Sequence, residues 1–566
     1  MLRDRLARAV VLFGAALLVS TEALGALGWI RRVPLSVWWI AVCAAGLVCL
    51  WRRGFTMPRI GRDPVVILCL AGTAAVFALT ALAAGFSPPN SADAMAYHMP
   101  RIVYWAEQGS VRFFPTPYLN QIMLQPFAEY AMLHTYVLTG GDRLINFVQW
   151  SASVVSVAAV SRAAGLMGAG ARGQAIAAVF AATLPSGILA SSGAKNDYVL
   201  AMWIAIAICF ALRFAQAPAL SDAAFLGAAL GFALLTKGTA YLFAPFPLLA
   251  ILYRAHAKKF LLASLLIAAA INTPHYLRNY GLSGSVLGFD SAQGDGFFRW
   301  RNETFGWRQT VSNAVRNLSD QLGGRSEAWN RGVYRAALGI HRALGIDPND
   351  PATTWRWSSY GPPVNANHEA NAPNRWHLAI LLIACCVGIN RRRALYALAL
   401  VVAFIAFCGY LKWQPFFSRL LLPLFIMGAP LVAIFGRRWV LLQIALVVFL
   451  LNNARPALLE NWVRPLKGPH SVFRVARDDR YFSDMTQWNN RTSYLETVDT
   501  LAASPCNIVG IDATEFQLEY PLMALLRERK PNVEFVHVNV RNASSKYAPP
   551  VAGPPCVTVR LSAGPP

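Results

Sequence analysis

The sequence predicts a polytopic α-helical membrane protein with one large outer loop and a small C-terminal α/β domain. Three observations lead there. Only 14% of the 566 residues are charged while 56% are hydrophobic, whereas ordinary soluble domains carry about a quarter charged residues. Apolar runs of nearly membrane-spanning length recur as far as residue 453. Beyond that point the texture changes to short β-rich runs alternating with a helical pattern.

Taken in order, spans are predicted at 9–30, 34–51, 65–86, 143–161, 173–193, 198–212, 223–236, 239–253, 260–274, 377–390, 394–411, 419–436 and 439–453, thirteen in all. Helices are required because an open chain cannot satisfy its backbone polar groups in lipid. Several spans are shorter than the roughly 20 residues a crossing needs at about 1.5 Å per residue. Broken helices meeting at a cavity, local bilayer thinning or misplaced boundaries would each explain this. Arg3, Arg5 and Arg8 precede the first apolar run in the manner of a signal peptide. Glu22 interrupts that run and another span follows at once, so it reads as a retained first span.

The net charge of +23 would point to nucleic acid in a soluble protein. Here the basic residues collect instead in short connections: Arg52, Arg53, Arg59 and Arg62; Arg254, Lys258 and Lys259; Arg391, Arg392 and Arg393; Arg437 and Arg438. That is the pattern of cytoplasmic membrane loops, which makes the lipid bilayer the expected partner and excludes nucleic acid. With the amino terminus inside, nearly every arginine-rich connection is inside as well, and Arg31 and Arg32, in a very short outer turn, are the main dissent. Four polar regions then fall outside: 87–142, 194–197, 275–376 and the tail from 454. The chain accordingly divides into a membrane domain, 1–453, which includes the outer loops 87–142 and 275–376, and an outer α/β domain, 454–566.

Loop 275–376 is far longer than an ordinary connection and is rich in Trp, Asn, Arg and Gly, so it should contain structure of its own. Its GVYRAALGIHRALG segment, and VYWAEQG at 103–109, would lie along the membrane surface or pack on the helical core. In the tail, CNIVGID (506–512), VEFVHVNV (533–540) and VTVRL (557–561) read as strands, and EYPLMALLRER (519–529) reads as a helix, with another near 493–503. No glycine pattern for a dinucleotide is present, and the tail is expected to support the membrane domain. Seven cysteines lie in apolar runs, where a thiol acts as a small hydrophobe. Cys506 and Cys556 either bridge, if the tail faces an oxidising compartment, or stand as unpaired structural thiols.

Four polar clusters sit at the outer edge of the predicted membrane core. In SADAMAYHMPR, a helix would place Asp93, Tyr97 and Arg101 on one face, although Pro100 disturbs it. These groups, with His98, would either cap and bridge local helices or line a site. In SSGAKNDY, Asp197 is a turn residue, a cap or a site acid. In LLTKGTAYLF, Lys237 is an interface anchor or, inside a cavity, a compact charge suited to phosphate. The fourth, GYLKWQPFFSRLLLPLF, carries Lys412 and Arg419.

As an ordered set, DAMAYHMPR with the nearby VRFFPT, then KNDY, LLTKG and LKWQPFFSR followed by LPLF, resembles bacterial members of the C-type (GT-C) membrane glycosyltransferases. Protein mannosyltransferases and lipid A aminoarabinose transferases are of this kind, and the resemblance covers roughly residues 87 to 430. It implies a GT-C-like fold and inverting transfer of a sugar from a polyprenyl-phosphate carrier, the undecaprenyl one in a bacterium. The acceptor hydroxyl would belong to a lipid, glycan or protein at the periplasmic face of the inner membrane. By that resemblance Asp93 is the general base, and Lys237, Arg419 and Arg278 hold the donor phosphate. Asp197, Tyr97, His98 and Arg101 position the acceptor or the site. No cofactor is expected, and the aspartates, His98, Glu129 and His134 lack metal-ligand spacing. A transporter or flippase for a lipid-linked sugar would also explain broken spans and charges at membrane depth. A noncatalytic scaffold is the third reading.

Overall fold

The computed structural model describes all residues except 1, 54–60, 254, 256, 258, 290–299, 388–389, 485–487, 515–516 and 562–566. Of the basic residues expected in inner loops, Arg59, Arg254 and Lys258 lie outside the described residues. The expected span 377–390 ends on residues 388–389, which lie outside the described residues, and each of the others overlaps one helix or a run of adjoining helices.

Among the described residues, eight helices are long and apolar enough to cross a membrane: Leu2–Ala26, Arg32–Arg52, Pro64–Phe86, Asp197–Gln216, Lys259–Ser283, Arg391–Tyr410, Arg419–Arg437 and Val440–Leu459. A ninth forms if Ala171–Ala182 and Pro185–Ser191 are taken as one span bent by 66°. The bend falls where Pro185, lacking an N–H, opens the second helix. Leu220–Thr236, Ala240–Leu252 and Arg375–Cys386 are shorter.

Asp197–Gln216 is the central helix, buried along almost its whole length between Asn146–Leu166, Leu220–Thr236 and Leu422–Val432. Helices here approach closely through small residues, as membrane bundles do. At Gly227 an added Cβ would come within 2.6 Å of the Ser264 Cα. At the opposite end from the outer loops, Arg162 pairs with Asp4 at 2.7 Å and Arg8 with Asp222 at 3.1 Å, fastening the first helix to the bundle.

The loop 87–142 is densely built. Ala94–His98 forms one π-helical turn, closed by Met99 N–H donating to the Ala94 carbonyl, and runs directly into the helix Met99–Gln108. Pro100 cannot supply the N–H that Ala96 O would otherwise receive, and the Gln121 side chain donates to that carbonyl instead at 3.0 Å. The extra residue in the turn changes which side chains share a face, because the helix gains a residue per turn there.

In the large loop, helices Trp307–Gln321 and Glu327–Leu344 pack on each other, with His341 Nε2 2.9 Å from Ser312 Oγ. Glu327–Leu344 buries Ala337 and His341 and leaves Trp329 and Ile340 exposed, so packing accounts for one of its faces. VYWAEQG packs inward, with Val103, Tyr104 and Trp105 all buried. The large loop is tied to the LKWQ segment by bridges Arg301–Leu411 (antiparallel) and Thr354–Trp413 (parallel). Arg316 lies buried over the Trp413 ring at 5.3 Å and donates to Thr354 Oγ1 at 2.7 Å.

The tail holds a small sheet of β1 (Ile508–Asp512), β2 (Glu534–His537) and β3 (Val557–Arg560), in the order β2-β1-β3 and parallel throughout. Helix Glu519–Arg529 connects β1 to β2, Trp488–Ala503 precedes β1, and Cys506 is disulfide-bonded to Cys556. The tail docks on the first outer loop. Arg477, Tyr481 and Tyr520 all donate to Asp142, the tyrosines at 2.6 and 2.9 Å. Arg527 pairs with Glu107 at 2.5 Å, and Glu519 accepts from Tyr104 at 3.1 Å and from Gln121 at 2.8 Å.

Candidate active site

A cavity of about 1160 Å³ opens where the loops 87–142 and 275–376 meet the helical core. It is lined by Asp93, Tyr97, Lys195, Lys237 and Arg419, so residues from four of the polar motifs converge on it. The Arg419 guanidinium lies 2.5 Å from Asp93 Oδ2, and Lys237 Nζ lies 2.5 Å from Asp197 Oδ1.

Each member of these pairs is placed by its local chain. Asp93 stands at the start of the π-turn but makes no side-chain capping bond, so its carboxylate is left for the cavity. Asp197 opens its helix, where an acid complements the helix dipole, and Lys237 follows the last turn of Leu220–Thr236, where a cation does the same. Arg419 heads a 3₁₀ turn before Leu422–Val432. Burial pushes the Asp93 carboxyl up, but Arg419, with Lys195 and His98, outweighs it and holds Asp93 well below the usual carboxylate range. Burial and then the Asp93 charge push the Tyr97 phenol well up, so it stays protonated.

Asp197 is placed just behind the wall: its side chain is buried and its exchange with the cavity runs through Lys237. Asp197 Oδ2 and Arg419 Nε are buried without a hydrogen-bond partner among the described residues. Such unmet polar groups are uncommon in folded interiors and are expected where a ligand or water completes the site.

Three of the expected site residues point elsewhere. His98 Nδ1 donates to Glu129 Oε1 at 2.8 Å, on the side of the π-turn away from the cavity. Arg101, fully buried, holds Glu129 at 3.2 Å and donates to the carbonyls of Gln121, Asn120 and Leu124, clamping the loop that follows. The face shared by Asp93, Tyr97 and Arg101 in a regular helix is therefore not formed, because the π-turn rotates Arg101 off it. Arg278 is also outside the cavity lining: it makes a bidentate pair with Glu22, both contacts at 2.8 Å, and donates to Tyr130 Oη. A half-buried acid on the first helix, Glu22, claims its charge.

Other residues enter the cavity that sequence reasoning did not assign to it. Lys195 Nζ lies 2.5 Å from Glu369, which Arg464 grips from behind. Burial pushes the Glu369 carboxyl up, but Arg464 and Lys195 outweigh it and hold it below its ordinary value. His368 Nε2 donates to Asp484 Oδ1 at 2.5 Å, and Asp484 Oδ2 accepts the Ala92 N–H at 2.6 Å, so a residue beyond the last span braces the chain next to Asp93. No spacing in the sequence joins positions 92, 368 and 484. The tryptophan richness of the large loop was visible, and Trp300, Trp355 and Trp357 do line the cavity. Trp357 has φ +65°, a left-handed backbone that costs a bulky residue roughly 1–3 kcal/mol.

Among the described residues, no group of three His, Cys, Asp or Glu side chains is arranged to hold a metal ion.

Fold and cavity together define the architectural class: a polytopic helical membrane protein with an ArnT-like fold and a small three-stranded C-terminal sheet. The crystal structure of ArnT from Cupriavidus metallidurans bound to undecaprenyl phosphate is similar over 84% of this chain and 86% of that one, with a TM-score of 0.50 and 12% identity. The archaeal oligosaccharyltransferase AglB from Archaeoglobus fulgidus, in complex with an inhibitory peptide and a dolichol-phosphate, matches 83% of this chain and 69% of that one, with a TM-score of 0.44 and 13% identity. Comparison with protein-family models and with curated protein sequences finds no match.

Proposed function

We propose that this protein transfers a sugar from a polyprenyl-phosphate carrier to an acceptor hydroxyl, at the periplasmic face of a bacterial inner membrane. One observation carries the reading: two acid–base pairs, Asp93–Arg419 and Asp197–Lys237, meet at a single cavity that also has an apolar wall. A lipid phosphate needs both features, cations for its head and apolar surface for its chain. The ArnT-like fold agrees with this, since ArnT itself was crystallised with undecaprenyl phosphate. The Cys506–Cys556 bridge supports an oxidising compartment for the tail.

In the proposed step the acceptor oxygen attacks the anomeric carbon while its proton passes to Asp93. The bond from that carbon to the carrier phosphate breaks, and the phosphate leaves with the electron pair. A single displacement inverts the sugar carbon. Arg419 and Lys237 stabilise the charge that grows on the leaving phosphate, the kind of fixed electrostatic assistance that counts most in a dry pocket. Asp93 is ionised at rest because Arg419 stands against it. An arriving phosphate competes for that guanidinium, which loosens the pair and makes Asp93 a stronger base. Arg278 has no part in this step, being committed to Glu22.

The test is transfer by purified, reconstituted protein supplied with isotope-labelled polyprenyl-phosphate sugars and an acceptor-containing membrane extract. Labelled product is expected, with Asp93→Asn reducing the rate by about 10²–10⁴. Unchanged transfer in Asp93→Asn would reject the base role, and carrier movement across vesicles without product would favour a flippase.

A further inference from the structure

Asp93 and Arg419 meet side chain to side chain, and a second connection joins them from behind. The Ala92 N–H, one residue before Asp93, donates to Asp484 Oδ2 at 2.6 Å, and His368 Nε2 donates to Asp484 Oδ1 at 2.5 Å. The Ala370 N–H donates to His368 Nδ1 at 3.3 Å, and the Ala370 carbonyl accepts the Arg419 N–H at 3.4 Å. Together with the Asp93–Arg419 pair, these bonds close a ring through distant segments of the chain.

The ring allows His368 one tautomer. Nδ1 accepts, so the single proton of the neutral ring sits on Nε2, toward Asp484. A carboxylate can accept on both oxygens, which is what the two N–H groups facing Asp484 require; an amide would offer them one oxygen between them. A second residue of the same stretch of chain spans the same gap. Arg464, fully buried, donates to Asn90 Oδ1 at 2.8 Å and holds Glu369. Two parallel ties thus fasten the segment leading into Asp93 to the segment 368–370.

We infer that Asp484 and His368 are positioning residues for sugar transfer, holding the backbone at Asp93 at a set separation from that of Arg419. This rests on the reading of Asp93 as the base and Arg419 as a phosphate contact. In that step an arriving phosphate draws the guanidinium from Asp93 and weakens the direct tie. The tie through Asp484 uses neither reacting side chain, so it outlasts that exchange and keeps Asp93 in reach of the acceptor hydroxyl. Displacing a catalytic group by about 1 Å can lower a rate on the order of 10²-fold. Asp484 also lines the cavity, where its negative charge can only repel a phosphate, so retaining the donor is not its part.

The experiment uses full-length protein in nanodiscs and measures kcat for transfer, affinity for undecaprenyl phosphate, and hydrogen exchange over residues 88–96. Asp484→Asn, nearly isosteric, is expected to lower kcat about ten- to hundredfold. Undecaprenyl phosphate should bind it as tightly as before or more tightly, because a negative charge has left the wall. His368→Leu should also lower kcat, whereas His368→Gln keeps an N–H donor toward Asp484 and should recover most of the rate. In an Asp93→Asn background, Asp484→Asn should lower the residual rate further by less than about threefold, since a residue that acts through Asp93 has nothing left to position. Exchange over residues 88–96 should quicken in Asp484→Asn and His368→Leu and stay near wild type in His368→Gln. The proposal is overturned if kcat is unchanged, if undecaprenyl phosphate affinity falls along with it, if the Asp93 and Asp484 losses multiply, or if exchange does not change. A wild type that transfers no sugar would sink the transfer reading, and exchange over 88–96 would still decide whether Asp484 and His368 hold Asp93 in place.

Discussion

Asp93 and Tyr97 face the cavity, whereas His98 and Arg101, from the same short stretch, face the protein interior. The two sets differ in what answers their charge. Asp93 meets a partly exposed guanidinium across a cavity wall, so its partner can be exchanged for a ligand. Arg101 meets Glu129 and three backbone carbonyls in full burial, so its partners are permanent. Position alone separates Lys237, which lines the cavity, from Arg278, which pairs with Glu22 outside it. A charged residue in a membrane-protein motif is therefore a candidate ligand contact only when the residue itself reaches open space.

The largest effect expected from this contrast is on folding. Arg101→Ala leaves Glu129 with one fewer cationic partner in a closed interior, and breaking a buried pair in this way typically costs about 3–5 kcal/mol. Denaturation of the variant in detergent should reveal that loss; near-wild-type stability would move Arg101 out of the clamping set. Lys237→Met should weaken undecaprenyl phosphate binding roughly ten- to hundredfold, the worth of one charge-assisted hydrogen bond. Arg278→Met should leave that affinity unchanged while lowering stability, and the reverse pattern would exchange the roles assigned to the two cations.

A pH dependence sharpens the comparison further. Glu369 has a folded-state pKa below its ordinary value of 4.5, so its stabilisation is complete above that pH and is lost as the pH falls beneath it. Melting temperatures measured from neutrality down through the carboxylate range should decline more steeply for the wild type than for Glu369→Gln. Equal slopes would mean that Lys195 and Arg464 do not favour the ionised form. The smallest effect is expected at the surface, where Arg331→Ala removes an exposed pair with Glu327 and should leave the melting temperature unchanged within error.

Much of the architecture was legible because it depends on local composition. Apolar runs mark helices wherever water is absent to satisfy the backbone, and the alternation in VEFVHVNV marks a strand whatever it packs against. The span count was less legible. A run such as that around Pro185 has the composition of one span, while its proline makes two helices set at 66°. In the site, the motifs named Asp93, Lys237 and Arg419 because each interrupts a greasy segment. Those interruptions do not say which way a side chain turns. One added residue in the Ala94–His98 turn was enough to separate Arg101 from Asp93.

The sequence by itself determined that the chain is a helical membrane protein with polar groups gathered at one edge and a small α/β tail. Those properties follow from residue-by-residue transfer and backbone hydrogen bonding. Only the tertiary structure decided that Arg419 answers Asp93 and Lys237 answers Asp197, that Glu22 removes Arg278 from the cavity, and that Asp484 and Glu369 brace the site from distant segments. Pairing of charges is a matter of which chain segments meet in space, and no local spacing encodes a contact between residues hundreds of positions apart.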